Sequence, residues 1–244
     1  MTPDKEPQPP PADPERQGRE QRILDAAAAL MVRWGYRKTT IDDVAREAGV
    51  GKGTIYLHWK DKQQLFQAAI LHQQRLATED VQRRIAADPA GGLFHRWVSH
   101  SIAAALDYPL LAAMLQGRSD IYNGVVGAYD PATLSQLASH FDAVMLKLQQ
   151  GGLIRSDIPV PTATFLVTAL KIGVINTPEL LGKEHTPPLT ALTEAMSDLI
   201  RRWLEPDDLP EESALGKQLA DDLIDHIKDY ETLQGAQHDR HDQR

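Results

Sequence analysis

Apolar positions recur along this chain at the spacing of one helix face, and no stretch alternates as a strand requires. Residues 17–34 set Ile23, Leu24, Ala27, Leu30, Met31 and Trp34 on one side, and Gly35 stops the pattern. Ile41, Val44, Ala45 and Ala48 then fall at i, i+3, i+4 and i+7, one stripe of a short helix. Thr40 precedes that stripe as an N-cap, and Asp43, three residues on, can complete a capping box. Gly49 ends the helix where positive φ is favoured. A second short amphipathic segment, KGTIYLHW, follows. Asp61 and Gln64 form another capping pair and open a long helix predicted over 61–87, which Asp88-Pro89 and Gly91-Gly92 break. Further helices are predicted over 93–107, 110–117, 131–150, 161–176, 189–204 and 211–233. Pro109, Pro131, Gly151-Gly152, Pro159, Pro178 and Pro187-Pro188 separate them. The expected class is all-α, with a three-helix helix-turn-helix domain ahead of a larger helical domain.

Helix, tight turn and second helix of this size is an arrangement that can lay its second helix in a DNA major groove. The chemistry of that segment fits. Lys52, Gly53, Thr54, Tyr56, His58, Lys60 and Lys62 gather cations, hydroxyls and an approachable backbone within eleven positions. Cations and hydroxyls bind phosphate oxygens, and glycine lets the backbone come close. A solvated turn followed by a half-buried helix has the same spacing, so the surroundings matter.

Charge is one such surrounding. The chain is formally −8, yet residues 16–62 carry ten Lys/Arg against six acids, +4 locally and −12 elsewhere. A cationic head on an acidic body implies one polyanion-binding end, with the body repelled from DNA. There is no cysteine, which excludes disulfides and thiol chemistry and is compatible with a reducing cytoplasm, the expected location. No run reaches the ~18 apolar residues of a membrane span, and the N-terminus lacks a signal peptide's apolar core. Residues 1–16, rich in proline and charge, and residues 235–244 are expected to be disordered tails. The expected division is residues 17–62 for the DNA-binding domain and 63–234 for a ligand-binding and dimerisation domain.

Residues 22–66, and within them ILDAAAALMVRWGYRKTTIDDVA, AGVGKGTIYLHW and KDKQQLF, resemble the N-terminal DNA-binding domain of the TetR/AcrR family of bacterial transcriptional regulators. The match is dense, ungapped and covers about a fifth of the chain. One departure is Trp59, where the family usually has phenylalanine; the large aromatic is kept. The resemblance implies three helices, the third reading the major groove, in a homodimer. Combined with the residue chemistry, it points to Thr40, Lys52, Thr54, Tyr56, His58 and Lys62 as phosphate contacts. Lys52, Gly53 and Thr54 are then the base readers, with Leu57 against a thymine methyl.

The resemblance further implies an inducer cavity enclosed by the central helices. Phe94, Trp97, His100, Tyr108, Met114, Arg118, Tyr122 and Phe141 supply the aromatic walls and few polar groups a small-molecule pocket needs, with Arg118 a candidate anion anchor. Core packing accounts for aromatics equally well. Two stripes near the C-terminus, Phe165, Leu166, Ala169, Ile172 and Gly173, then Leu192, Met196, Leu199 and Trp203, suit the four-helix dimer interface the family implies, or burial within one subunit. His95, His100 and His140 have no ligating neighbours at metal spacing, and no nucleophile elbow, P-loop or paired-acid motif is present. The expectation is therefore no enzyme, no metal and no cofactor. Partners should be a palindromic DNA operator, a second copy and a small-molecule effector, with no membrane. A module of the same fold that binds a protein is the alternative.

Overall fold

A computed structural model describes residues 14–115 and 131–241, and among them the predicted stripes fold as helices with no strand. The first helix, α1 (Pro14–Lys38), buries Ile23, Ala27, Leu30 and Met31. Its regular part ends at Gly35, where φ is 79°. Trp34 lies outside the core, with the Arg33 guanidinium 5.5 Å over its ring. Thr39, fully buried, donates its hydroxyl to the carbonyls of Leu30 and Gly35, at 3.2 and 2.9 Å, and its amide to Gly35 O at 3.3 Å. The capping box forms as predicted at α2 (Ile41–Ala48): the Asp43 amide donates to Thr40 Oγ1, and the Thr40 amide donates to Asp43 Oδ2. Gly49 closes α2 at φ 66°. The short α3 (Lys52–Tyr56) follows. Asp61 caps the long α4 (Lys62–Ala87), accepting from the Gln64 amide at 2.9 Å.

Then come α5 (Phe94–Asp107), α6 (Pro109–Leu115), α7 (Pro131–Gln150), α8 (Val160–Leu181), α9 (Leu189–Leu204) and α10 (Ala214–His241). Several boundaries differ from expectation, three of them with consequences. Pro178 does not end α8, which runs on to Leu181; the Thr177 hydroxyl donates to Gly173 O at 2.6 Å and supports that turn. The first helix takes in residues 14–16, since proline tolerates a first helical turn. The last helix runs past 233 to His241, so part of each stretch read as a tail is helical.

Two apolar cores result. The head core joins α1, α2 and α3 to Leu65, Phe66, Ala69 and Ile70 of α4. The body core gathers Ile85 with Phe94, Trp97, Met145, Leu148, Val167, Met196, Ile200 and Leu219, among others. At 26 residues and ~1.5 Å per residue, α4 is about 39 Å long, enough to serve both. It is not alone in this. Leu110 and Ala113 of α6 are buried in the head core. The glycines near residue 91 do more than break α4: Gly216 of α10 packs against Gly92 so closely that a Cβ there would lie 1.8 Å from the Gly92 carbonyl oxygen.

Candidate nucleic-acid interface

The α3 segment is held from below and open above. Ile55 is fully buried and Trp59 nearly so, both in the head core. With Ile55 pointing down, Lys52, Gly53, Tyr56 and Leu57 face solvent, and Thr54 is half-buried at the side. Leu57 is 81 % exposed and Tyr56 48 %. Folding gains nothing from a large apolar side chain in water, so their outward presentation points to contact with another molecule.

Electrostatics refine the picture. The Lys52 ammonium lies 2.9 Å from Asp42 Oδ1, and its hydrogen bond to Asp42, then the carboxylate's charge, raise its pKa. Both groups are exposed, so the pair is weak and a phosphate can displace the carboxylate. Thr40 is committed to its cap, donating to Asp43 Oδ2 at 2.6 Å while accepting from the Asp43 amide. Two predicted phosphate contacts turn inward. Lys62 donates to Arg37 O at 3.3 Å and stands 4.5 Å over the Tyr36 ring; burial pushes its pKa down. His58 is half-buried against Trp59 and faces Glu20 at 3.9 Å. Conversely, Arg37 and Lys38 at the end of α1 are exposed and have no ion-pair partner among the described residues. Their place in the positive count of 16–62 was the only signal for them in the sequence.

The residues expected to line one ligand cavity disperse. Phe94 and Trp97 are body core, edge to face at 5.7 Å, with Phe141 packed against them. Met114 packs instead on the head core. Tyr108 donates its hydroxyl to Leu76 O of α4 at 3.0 Å. His100 bonds Asp88 at 2.8 Å beside Arg96 at 2.6 Å. Burial raises the Asp88 pKa, but bonds from Arg96 and His100 outweigh it and hold the carboxyl below its usual range. Arg118 and Tyr122 lie outside the described residues. Of the six that are described, His100 alone lines the cleft of about 580 Å³ between α5 and α9, whose other walls include Arg84, Glu194, Asp198 and Arg201.

The proposed dimer stripes divide by helix face. Phe165, Leu166, Ile172 and Leu199 are exposed, Phe165 by 71 %, and Ala169 is exposed with them. Gly173 and Leu192 are half-buried. Met196 is buried in the subunit's own core and Trp203 packs against it, because the inward stripe of α9 runs Met196, Ile200, Leu204. Among the described residues no group of three metal-binding side chains occurs, and no helix is long and apolar enough to cross a membrane.

Comparison with known proteins matches this geometry. The family model described as bacterial regulatory proteins, tetR family, fits residues 23–69. An uncharacterized HTH-type transcriptional regulator, YhgD of Bacillus subtilis (strain 168), is 31% identical over 188 residues, covering 72% of this chain and 91% of the relative. The HTH-type transcriptional repressor Rv1474c of Mycobacterium tuberculosis is 26% identical over 186 residues, 75% of this chain and 94% of that one. A crystal structure of a putative transcriptional regulator from Saccharomonospora viridis in complex with choline superposes with a TM-score of 0.57 at 18% identity, covering 77% and 98% of the two chains.

Proposed function

The chain belongs to the TetR family of bacterial transcriptional regulators, and on that premise we propose that it is a homodimeric repressor released from a palindromic operator by a small-molecule effector. The observation that carries the reading is the outward row Lys52, Gly53, Tyr56 and Leu57, locked in place by Ile55 and Trp59. Lys52 and Gly53 approach base edges, Thr54 and Tyr56 hold phosphates, and Leu57 lies against a thymine methyl. Arg37 and Lys38 join the phosphate contacts. Thr40, His58 and Lys62 act mainly by fixing the positions of α2, α3 and α4. Residues 17–62 form the DNA-binding unit and 63–234 the effector and dimer unit, working in the bacterial cytoplasm.

The exposed Phe165, Leu166, Ala169, Ile172 and Leu199 support pairing of α8 and α9 with their copies in a second subunit. Pairing sets two α3 segments apart by ~34 Å, or a multiple, as successive major-groove faces require. An effector that prefers one body conformation shifts that spacing through α4 and through α6, which is wedged into the head core. That a solved neighbour carries choline supports a ligand-holding body.

Fragment retention tests the reading. The full chain should select genomic fragments sharing an inverted repeat, and Lys52→Ala should weaken that binding about tenfold or more. Tyr56→Phe should weaken it less. Affinity should fall steeply with salt as phosphate contacts release counterions. A flat salt response with no fragment selected would turn the reading toward a protein partner. Phe165→Glu with Ile172→Glu should give monomers by light scattering, with operator retention lost; unchanged dimers would move the interface elsewhere.

A further inference from the structure

The cleft of about 580 Å³ between α5 and α9 is walled mainly by polar side chains, and four of them share one arrangement. Each is held at one end by a carboxylate, while its other end has no hydrogen-bond partner among the described residues. His95 donates its amide to Glu205 Oε1 at 2.9 Å and sets Nδ1 2.7 Å from Glu205 Oε2, which leaves Nε2. Asp88 Oδ2 holds Arg96 Nε at 2.6 Å and His100 Nε2 at 2.8 Å, which leaves the terminal nitrogens of Arg96 and Nδ1 of His100. Asp80 and Asp107 take Nε and Nη2 of Arg84, which leaves Nη1. Two of the acids lie behind the groups they hold: the Glu205 side chain is 1% exposed against 12% for His95, and Asp88 13% against 37% for Arg96. Held from behind, the outer donors are fixed in direction before any ligand arrives.

The α9 wall adds two charges that lie outside these pairs. Arg201 and Glu194 line the same cleft with no ion-pair partner among the described residues, two helical turns or ~10.5 Å apart along one face. Arg201 falls between Ser197 and Glu205, and both of these bond His95, the Ser197 hydroxyl donating to His95 O at 3.4 Å. The Arg201 guanidinium therefore belongs to the His95 and Arg96 end of the cleft. Glu194 lies a turn before Ser197, toward Thr190, and Asp107 with its partner Arg84 borders the cleft from the far end of α5. One end is cationic, and the other offers carboxylates and a hydroxyl.

We propose that this cleft binds a polyhydroxylated monocarboxylate, a sugar acid, with its carboxylate on Arg96 and Arg201 and its hydroxyls toward Glu194, Thr190 and Arg84. This rests on the effector-responsive reading above and names the chemical class of the effector. Arginine matches a carboxylate with paired N–H groups. Neutral His95, its Nδ1 proton turned to Glu205, presents Nε2 as an acceptor to the hydroxyl beside the acid. Glu194 accepts from hydroxyls farther along, and the remaining Nη1 of Arg84 donates to them. An apolar tail would cover these heads without satisfying them, and an anion of higher charge would meet Glu194 and Asp107. The bound acid ties α5, which leads into the α6 residues of the head core, to α9, whose Leu199 is exposed on the proposed dimer face.

The test titrates the full-length chain calorimetrically, at constant ionic strength, with sodium gluconate and sodium glucuronate, an open-chain and a cyclic sugar acid. Sorbitol is the control with hydroxyls and no acid, and sodium hexanoate the control with the acid and no hydroxyls. One of the sugar acids should bind saturably at one per chain, about tenfold or more tighter than either control. Arg201→Gln should weaken that acid about tenfold and leave thermal melting unchanged, since the side chain is exposed. Glu194→Gln should cost about threefold. Sugar acids bound no more tightly than sorbitol or hexanoate, equal affinity in wild type and Arg201→Gln, or no saturable binding would overturn the proposal. Fragment retention measured without ligand separates the two readings. Sugar-acid binding without DNA retention keeps the cleft site and removes the repressor. DNA retention with no sugar acid bound does the reverse.

Discussion

The head and the body treat polar groups in opposite ways. In the head, polar chemistry is either fully used inside or displayed outside: the buried Thr39 hydroxyl bonds two carbonyls, while Lys52, Tyr56 and Leu57 face solvent. In the body, Trp97, Asp142 and Thr164 bury atoms that have no hydrogen-bond partner among the described residues. A surface that reads a rigid polymer needs a stiff, self-sufficient support. An interior that takes up a small molecule keeps groups unmet until the molecule arrives. The contrast assigns the two halves different work before any partner is named.

The largest way to break the comparison is Ile55→Asp. It puts a carboxylate at the fully buried anchor of α3 and should cost on the order of 3–5 kcal/mol. Operator retention should vanish, and thermal melting by circular dichroism should gain an early phase from the head. A single unchanged transition would mean the two cores are not separable. Lys171→Met sharpens the body's side of the contrast. A lysine whose folded pKa is lowered, as desolvation lowers that of Lys171, weighs against folding while it is charged, so the penalty is full below the folded pKa and fades as pH rises from there toward the ordinary lysine range. Without ligand, the variant should therefore be more stable than wild type below the ordinary lysine range, converging on wild type in alkali. Denaturant melts across pH would show it, and a difference independent of pH would contradict it. The smallest change is Gly49→Ala in the head: no atom lies within 4 Å of the added Cβ, so the cost is backbone strain at φ 66°, about 1 kcal/mol. A much larger loss would reveal a contact that the geometry lacks.

Local chemistry made the head legible in sequence. The Thr40/Asp43 box, the left-handed Gly49 and the Asp61 cap are each written within four residues, and all form. Stripes in 131–150 and 189–204 gave those helices their observed bounds. What escaped was long-range or depended on absence. Met114 reads as a body residue until α6 is seen against the head core. Lys62 reads as a surface cation until the Arg37 carbonyl and the Tyr36 ring are found beneath it. Met196 belongs to an apolar stripe that the interface and the interior share, and only the inward turn of α9 assigns it. Lys171 in an apolar helix is ordinary in sequence; its desolvation becomes visible only once the neighbours are in place.

The central claim is that the outward face of α3 recognises DNA. Its most direct test is competitive retention of sheared genomic DNA by wild-type protein and by Lys52→Ala at moderate salt. The account predicts that wild type enriches fragments sharing one inverted repeat and that Lys52→Ala loses most of that enrichment. Fragments indistinguishable from random competitor, or equal enrichment by both proteins, would contradict it.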